Sequence, residues 1–118
     1  METTNSGGKI LLDLKQVIGR LAASASEQVR YLAELGVLPS VDELALEFED
    51  VVVLLPRLLE DGNLNREQYQ SIDALRRKLS GMSNKQDLWT EASLRSHSCW
   101  KEVRRLARVV INKMQGFW

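Results

Sequence analysis

Val41-Asp42-Glu43-Leu44-Ala45-Leu46-Glu47-Phe48-Glu49-Asp50-Val51-Val52-Val53-Leu54-Leu55-Pro56 decides the fold class, because its end can be read in two ways. Three consecutive valines followed by two leucines have the look of a buried strand. A strand needs a partner, however, and no second strand-like segment occurs anywhere in the chain. The helical reading has positive support. Val41, Leu44, Phe48, Val51, Val52 and Leu55 recur at three- and four-residue steps and so share one face. Just upstream, Ser40 and Glu43 have the spacing of a capping box, in which the hydroxyl accepts from the Glu43 amide and the carboxylate reaches back. Pro56 has no amide proton and clashes with the preceding turn, so the helix should kink or break there, leaving Arg57 to Asp61 as a last turn before Gly62.

Outward from this segment the glycines punctuate the chain. Gly36, Gly62, Gly81 and Gly116 each follow an apolar pattern, as helix-terminating glycines do. The pattern upstream predicts one helix over about residues 9–35, roughly 40 Å long at 1.5 Å per residue. Its stripe is Leu11, Leu14, Ile18, Leu21, Ala25, Leu32 and Leu35, with a gap at Gln28; Gly19 and Ser24-Ala25-Ser26 weaken the middle. Residues 1–8 read as a disordered tail, and 9–118 as a single helical domain. Downstream, Asn65 and Gln68 form another capping pair, with Leu64 placed to staple against Tyr69. The stripe of that helix is Tyr69, Ile72, Leu75 and Leu79, and Gly81-Met82 is the expected stop. Leu88 to Leu94 should make one or two turns that cover an end of the core, and the last helix should run from about Cys99 to Gln115 on Trp100, Val103, Ala107, Val110 and Met114. The sum is an all-α, four-helix bundle-like domain with a short extra helical turn before the last helix.

Composition narrows the function. The chain has 118 residues, 16 Lys plus Arg against 16 Asp plus Glu, 44% hydrophobic and 27% charged residues, which describes an ordinary globular domain large enough to bury a core without disulfides or metals. One cysteine, Cys99, suits a reducing compartment, and a cytoplasmic protein is expected. The polar start resembles no signal peptide, Glu2 excludes myristoylation, and the longest apolar run is far too short to span a bilayer, so no membrane association is expected.

No catalytic or cofactor constellation stands out, and the expectation is a non-enzyme without cofactor or metal. Ser96-His97-Ser98-Cys99 gathers nucleophiles beside the single histidine, but no orienting acid or oxyanion hole accompanies them, and the hydroxyls suit capping of the last helix. A histidine and a cysteine are too few for a structural zinc site. Glu43, Glu47 and Asp50 have helical metal-site spacing, but no Glu-x-x-His unit joins them. A phosphate-binding glycine loop is also absent.

Net neutrality hides a division. Residues 41–61 hold seven acids against Arg57, a net −6, whereas residues 95–113 hold six bases against Glu102, a net +5. On a helical wheel Asp42, Glu43, Glu47, Glu49 and Asp50 lie opposite the core face, with Leu46 and Val53 among them. An acidic surface carrying aliphatic side chains suits docking of a basic protein, since charge steers encounter and apolar contact slows dissociation. Lys101, Arg104, Arg105 and Arg108 share a second face that could meet phosphates, but overall neutrality and the absence of a helix-turn-helix pattern make nucleic acid the lesser expectation. The plainer alternatives are that both faces are simply solvated or that they pair with each other. Phe117 and Trp118 at the end of the chain also allow a homodimer.

Part of the second half, from about Leu75 through Leu88-Trp89-Thr90-Glu91-Ala92-Ser93-Leu94-Arg95 and Trp100-Lys101-Glu102-Val103-Arg104-Arg105-Leu106-Ala107-Arg108, resembles small all-helical bacterial immunity-type proteins. The resemblance covers about a third of the chain. It implies a cytoplasmic antidote that binds a cognate toxin and blocks it without chemistry of its own; the charge pattern, taken separately, makes a basic toxin domain the expected partner.

Overall fold

The computed structural model describes residues 6–36 and 41–115, and these are all-helical. In chain order the helices are α1 (Ser6–Ala22), α2 (Ala25–Glu34), α3 (Glu43–Val52), α4 (Leu55–Glu60), α5 (Arg66–Met82), α6 (Glu91–Ser96) and α7 (Ser98–Lys113), with a 3-10 turn at Gln86–Leu88 between α5 and α6. α1 lies against α7 on one side and α3 on the other, and α5 lies against α7, with α3 and α4 touching it more lightly. The valine run is helical through Val52.

Three expected boundaries move. The single helix over 9–35 is two helices, broken at Ala23 and Ser24. Ser24 adopts an extended backbone, its hydroxyl accepts from the Glu27 amide at 3.2 Å, and the Glu27 carboxylate accepts from the Ser24 amide at 3.1 Å. A complete capping box at Ser24 starts a second helix. Leu35, expected on the buried stripe, sits past the end of α2 and is exposed. At the other end α1 takes in Ser6 to Gly8, which the sequence reading assigns to the tail.

The capping box expected at Ser40 lies outside the described residues. Asp42 precedes α3 in helical conformation and makes no side-chain cap. Near Pro56 the chain breaks as expected, but one turn earlier, at Val53 and Leu54, because proline is tolerated in the first turn of α4, where its missing amide has no acceptor to lose. Gly36 and Gly62 carry the left-handed φ of helix-ending glycines, at 73° and 78°. Gly81 does not: α5 runs through it to Met82, so the expected glycine stop there is absent. Gly116 lies outside the described residues.

Asn65 and Gln68 form the expected reciprocal cap. The stretch after α5 covers one end of the core, with Leu88 and Leu94 buried and Trp89 half-buried. Its position is fixed by two indole N–H groups. Trp89 donates to the Met82 carbonyl at 2.9 Å, Trp100 donates to the Leu88 carbonyl at 2.6 Å, and the rings meet edge to face with centroids 5.4 Å apart.

The Gln28 gap in the apolar stripe is the centre of a buried polar network. Gln28 is 1% exposed; its amide nitrogen donates to the carbonyls of Arg20 and Leu21 at the end of α1, at 2.9 and 3.1 Å. Its oxygen accepts from Arg104 Nη1 of α7 at 3.0 Å, and the same nitrogen donates to the Leu94 carbonyl of α6 at 3.0 Å. Four helices are thereby tied at one place. Replacing Arg104 with methionine keeps an unbranched apolar stem but removes the guanidinium and strands two acceptors, each costing about 1–3 kcal/mol when buried. Arg104→Met is therefore expected to lower unfolding free energy by about 2–6 kcal/mol in urea titrations, and Arg104→Lys, which can serve at least one acceptor, by less.

Candidate functional site

α3 presents its acids to two different environments. Leu44, Ala45, Phe48 and Val52 enter the core, which fixes the rotation of the helix. With that rotation set, Asp42, Leu46, Glu49, Asp50 and Val53 form one exposed stripe at helical spacing, with Leu46 47% and Val53 71% exposed. Asp42, Glu49 and Asp50 make no ion pair with another described residue. The stripe keeps five of the seven residues that the charge pattern singles out.

Glu43 and Glu47 leave it. Both are half-buried on the side of α3 that turns toward α1 and α2. Glu47 accepts a short hydrogen bond from the Tyr31 hydroxyl at 2.5 Å and pairs with Arg20 at 3.4 Å, while the Arg20 guanidinium lies 4.5 Å above the Tyr31 ring. Desolvation, reinforced by the hydrogen bond and charge of Glu47, pushes the Tyr31 phenol up to about 12. This carboxylate is used inside the molecule.

The basic face also divides. Lys101, Arg105 and Arg108 are exposed, but Arg104, expected among them, is only 7% exposed and belongs to the buried network. Burial, with the neighbouring charge of Arg108, pushes its guanidinium down from its ordinary value. Arg105 makes a bidentate pair with Glu102 at 2.8 and 2.6 Å, which holds the Glu102 carboxyl below the usual carboxylate range. Among the described residues no ion pair joins α3 to α7.

The Ser96 to Cys99 stretch is occupied by structure. Ser96 donates to the Ala92 carbonyl at 3.0 Å, His97 Nδ1 accepts from the Cys99 amide at 3.0 Å, and Cys99 is a half-buried free thiol. Among the described residues no three His, Cys, Asp or Glu side chains are grouped to hold a metal ion. None of the described helices is long and apolar enough to cross a membrane.

Beside the stripe lies a cavity of about 500 Å³ whose far wall is made by Ser83, Gln86 and Trp89. Periodicity does not place these with α3, since their approach is set by the turn that follows α5, which Trp89 pins by donating to the Met82 carbonyl. No protein-family model matches the chain, and comparisons with curated proteins and with solved structures find no match either.

The environment of Tyr31 can be tested by alkaline titration. Its phenol is neutral in the fold to about pH 12 but ionises near pH 10 when unfolded. Its contribution to stability is thus full below pH 10 and is lost as pH rises toward 12. Ultraviolet titration should show Tyr31 ionising late, and Glu47→Gln should move that transition to lower pH.

Proposed function

We propose that this chain is a non-enzymatic protein-binding module whose exposed stripe on α3 captures a basic protein surface. The observation that carries the reading is the stripe itself: Asp42, Glu49 and Asp50 stand without an ion-pair partner among the described residues and are interleaved with solvent-exposed Leu46 and Val53. Unpaired carboxylates project a field that accelerates encounter with a cation, and the two aliphatic side chains supply the contact that slows departure. In this reading α1, α3, α5 and α7 serve as a bundle-like frame, and the stripe is a rigid surface because the opposite face of α3 is locked in the core.

The specific form of the proposal is an immunity-type role in the cytoplasm: the partner is a toxin domain with a basic face, and occupation of that face blocks it. The competing use of α7 on nucleic acid is weaker in this geometry, since burial of Arg104 and pairing of Arg105 leave Lys101 and Arg108 as the unengaged bases of the expected four. Phe117 and Trp118, which suggested a homodimer, lie outside the described residues.

Affinity capture from an extract of the source cells tests the reading. Wild-type protein should retain a basic partner at low salt. Glu49→Lys with Asp50→Lys should slow association at least tenfold, with a smaller change in dissociation, and Leu46→Asp should mainly hasten dissociation. Failure to recover any protein at any salt concentration, or retention indifferent to both changes, overturns it.

A further inference from the structure

The surface beside the stripe is concave, and its shape specifies more than charge does. Asp42, Ala45, Leu46 and Glu49 line one wall of the 500 Å³ cavity, an i, i+3, i+4, i+7 set from one side of α3. Glu49 also borders a second pocket of about 260 Å³, lined further along α3 by Val52 and Val53 and across from them by Arg76. A trough therefore runs along α3 toward its C-terminal end. Its two ends differ in charge. Asp42 and Glu49 have no ion pair among the described residues, whereas Arg76 is already bonded to Asp73 at 2.8 Å.

We propose that this trough receives an amphipathic helix of the protein partner, with an arginine seated in the 500 Å³ cavity. The inference rests on the protein-binding reading and specifies its occupant. From Asp42 to Val53 α3 rises roughly 16 Å, the length of three helical turns, which matches the helix-in-groove mode of recognition. The arginine stem lies over Leu46 and against the Trp89 ring that lines the cavity, and the guanidinium reaches Asp42 or Glu49. Trp89 is held by its bond to the Met82 carbonyl and its edge contact with Trp100, so it loses little freedom when the ligand arrives. A planar guanidinium both stacks on an indole and bonds a carboxylate; a lysine ammonium does the first less well and the second with one point charge. Apolar residues of the same helix then lie over Val52 and Val53. A second copy of this chain is a poorer occupant, because between Lys101 and Arg108 the exposed face of its basic helix offers Arg105, already bonded to Glu102, where the trough asks for an apolar anchor.

The test uses the full chain and a synthetic helix-forming peptide of four turns with a leucine stripe and two arginines seven residues apart, followed by the indole N–H signal of Trp89 in nuclear magnetic resonance spectra. The arginine peptide should shift that signal saturably, the same peptide with lysines should bind several-fold more weakly, and one with glutamates should leave it unmoved. Gln86→Trp, which fills the cavity from its exposed rim, and Glu49→Gln should each weaken arginine-peptide binding about tenfold, with urea stability unchanged. Absence of a Trp89 shift, equal binding of lysine and arginine peptides, or indifference to Gln86→Trp overturns the inference. Self-association of the wild type that Gln86→Trp abolishes would also overturn it, by making a second copy the occupant. If the partner captured from extract is lost on charge reversal at Glu49 and Asp50 but not on Gln86→Trp, the binding stripe stands and the trough proposal falls.

Discussion

One buried guanidinium organises this molecule. Among the described residues no carboxylate pairs with Arg104; its bonded acceptors are the Leu94 carbonyl and the amide oxygen of Gln28. A charge in that position is costly unless its donors are met, and here the acceptors are oriented groups at helix ends. The Leu94 carbonyl lies in the last turn of α6, where backbone oxygens lack intrahelical donors and the helix dipole is negative. Gln28 in turn satisfies the carbonyls at the end of α1. The network therefore closes the exposed backbone left by two helix ends with side chains from two other helices. Each member is expensive to bury alone, which favours the one arrangement in which all are satisfied together.

That arrangement explains the break between α1 and α2. A continuous helix over both would bond the α1 carbonyls within itself and leave Gln28 an unmatched amide on an apolar stripe. With the break, the Ser24 box caps α2 and Gln28 caps α1. The signal was present in the sequence. Ser24 and Glu27 have the same spacing as Ser40 and Glu43, and a glutamine interrupting an apolar stripe marks a position where something polar is required. Periodicity outweighed it because the stripe keeps its phase across the break. Elsewhere the local chemistry was readable: Asn65 with Gln68, the left-handed Gly62, the helical valines and the stripes of α5 and α7 all appear where residue type and spacing place them. Gly81 misled, since a glycine inside a helix costs about 1 kcal/mol at most and the burial of Met82 holds the last turn.

The candidate surface was legible as a set of charges and not as a set of partners. A helical wheel places Glu43 and Glu47 with the other acids, but only the packing of α2 brings Tyr31 to Glu47, and only α1 supplies Arg20. The wheel likewise puts Arg104 beside Lys101 and Arg108, and it cannot foresee that a long side chain at the edge of the apolar stripe will turn inward to a glutamine 76 residues away. Trp89 falls in the stretch expected to cover an end of the core; its place on the far wall of a cavity beside α3 depends on a loop path that no periodicity encodes.

What remains on the outside of α3 runs against the helix that carries it. Acids near a helix N-terminus are favoured by the dipole, which accounts for Asp42 and Glu43. Glu49 and Asp50 occupy the last turn of a ten-residue helix, where the dipole disfavours negative charge and lysine or arginine would add stability. The last turn of α3 contains no base, and no described cation pairs with either acid. Leu46 and Val53 flank them and keep much of their apolar surface in water, so the stripe is only partly used by the isolated fold. Each departure is worth only a few tenths of a kcal/mol to about 1 kcal/mol, yet all fall on one face, beside the cavity that Trp89 lines. A helix optimised for its own fold would spread or reverse these choices. Their concentration on the face that leaves the core untouched is what the proposed binding role would use, since the groups that disfavour the free state are ones a basic, apolar partner could satisfy.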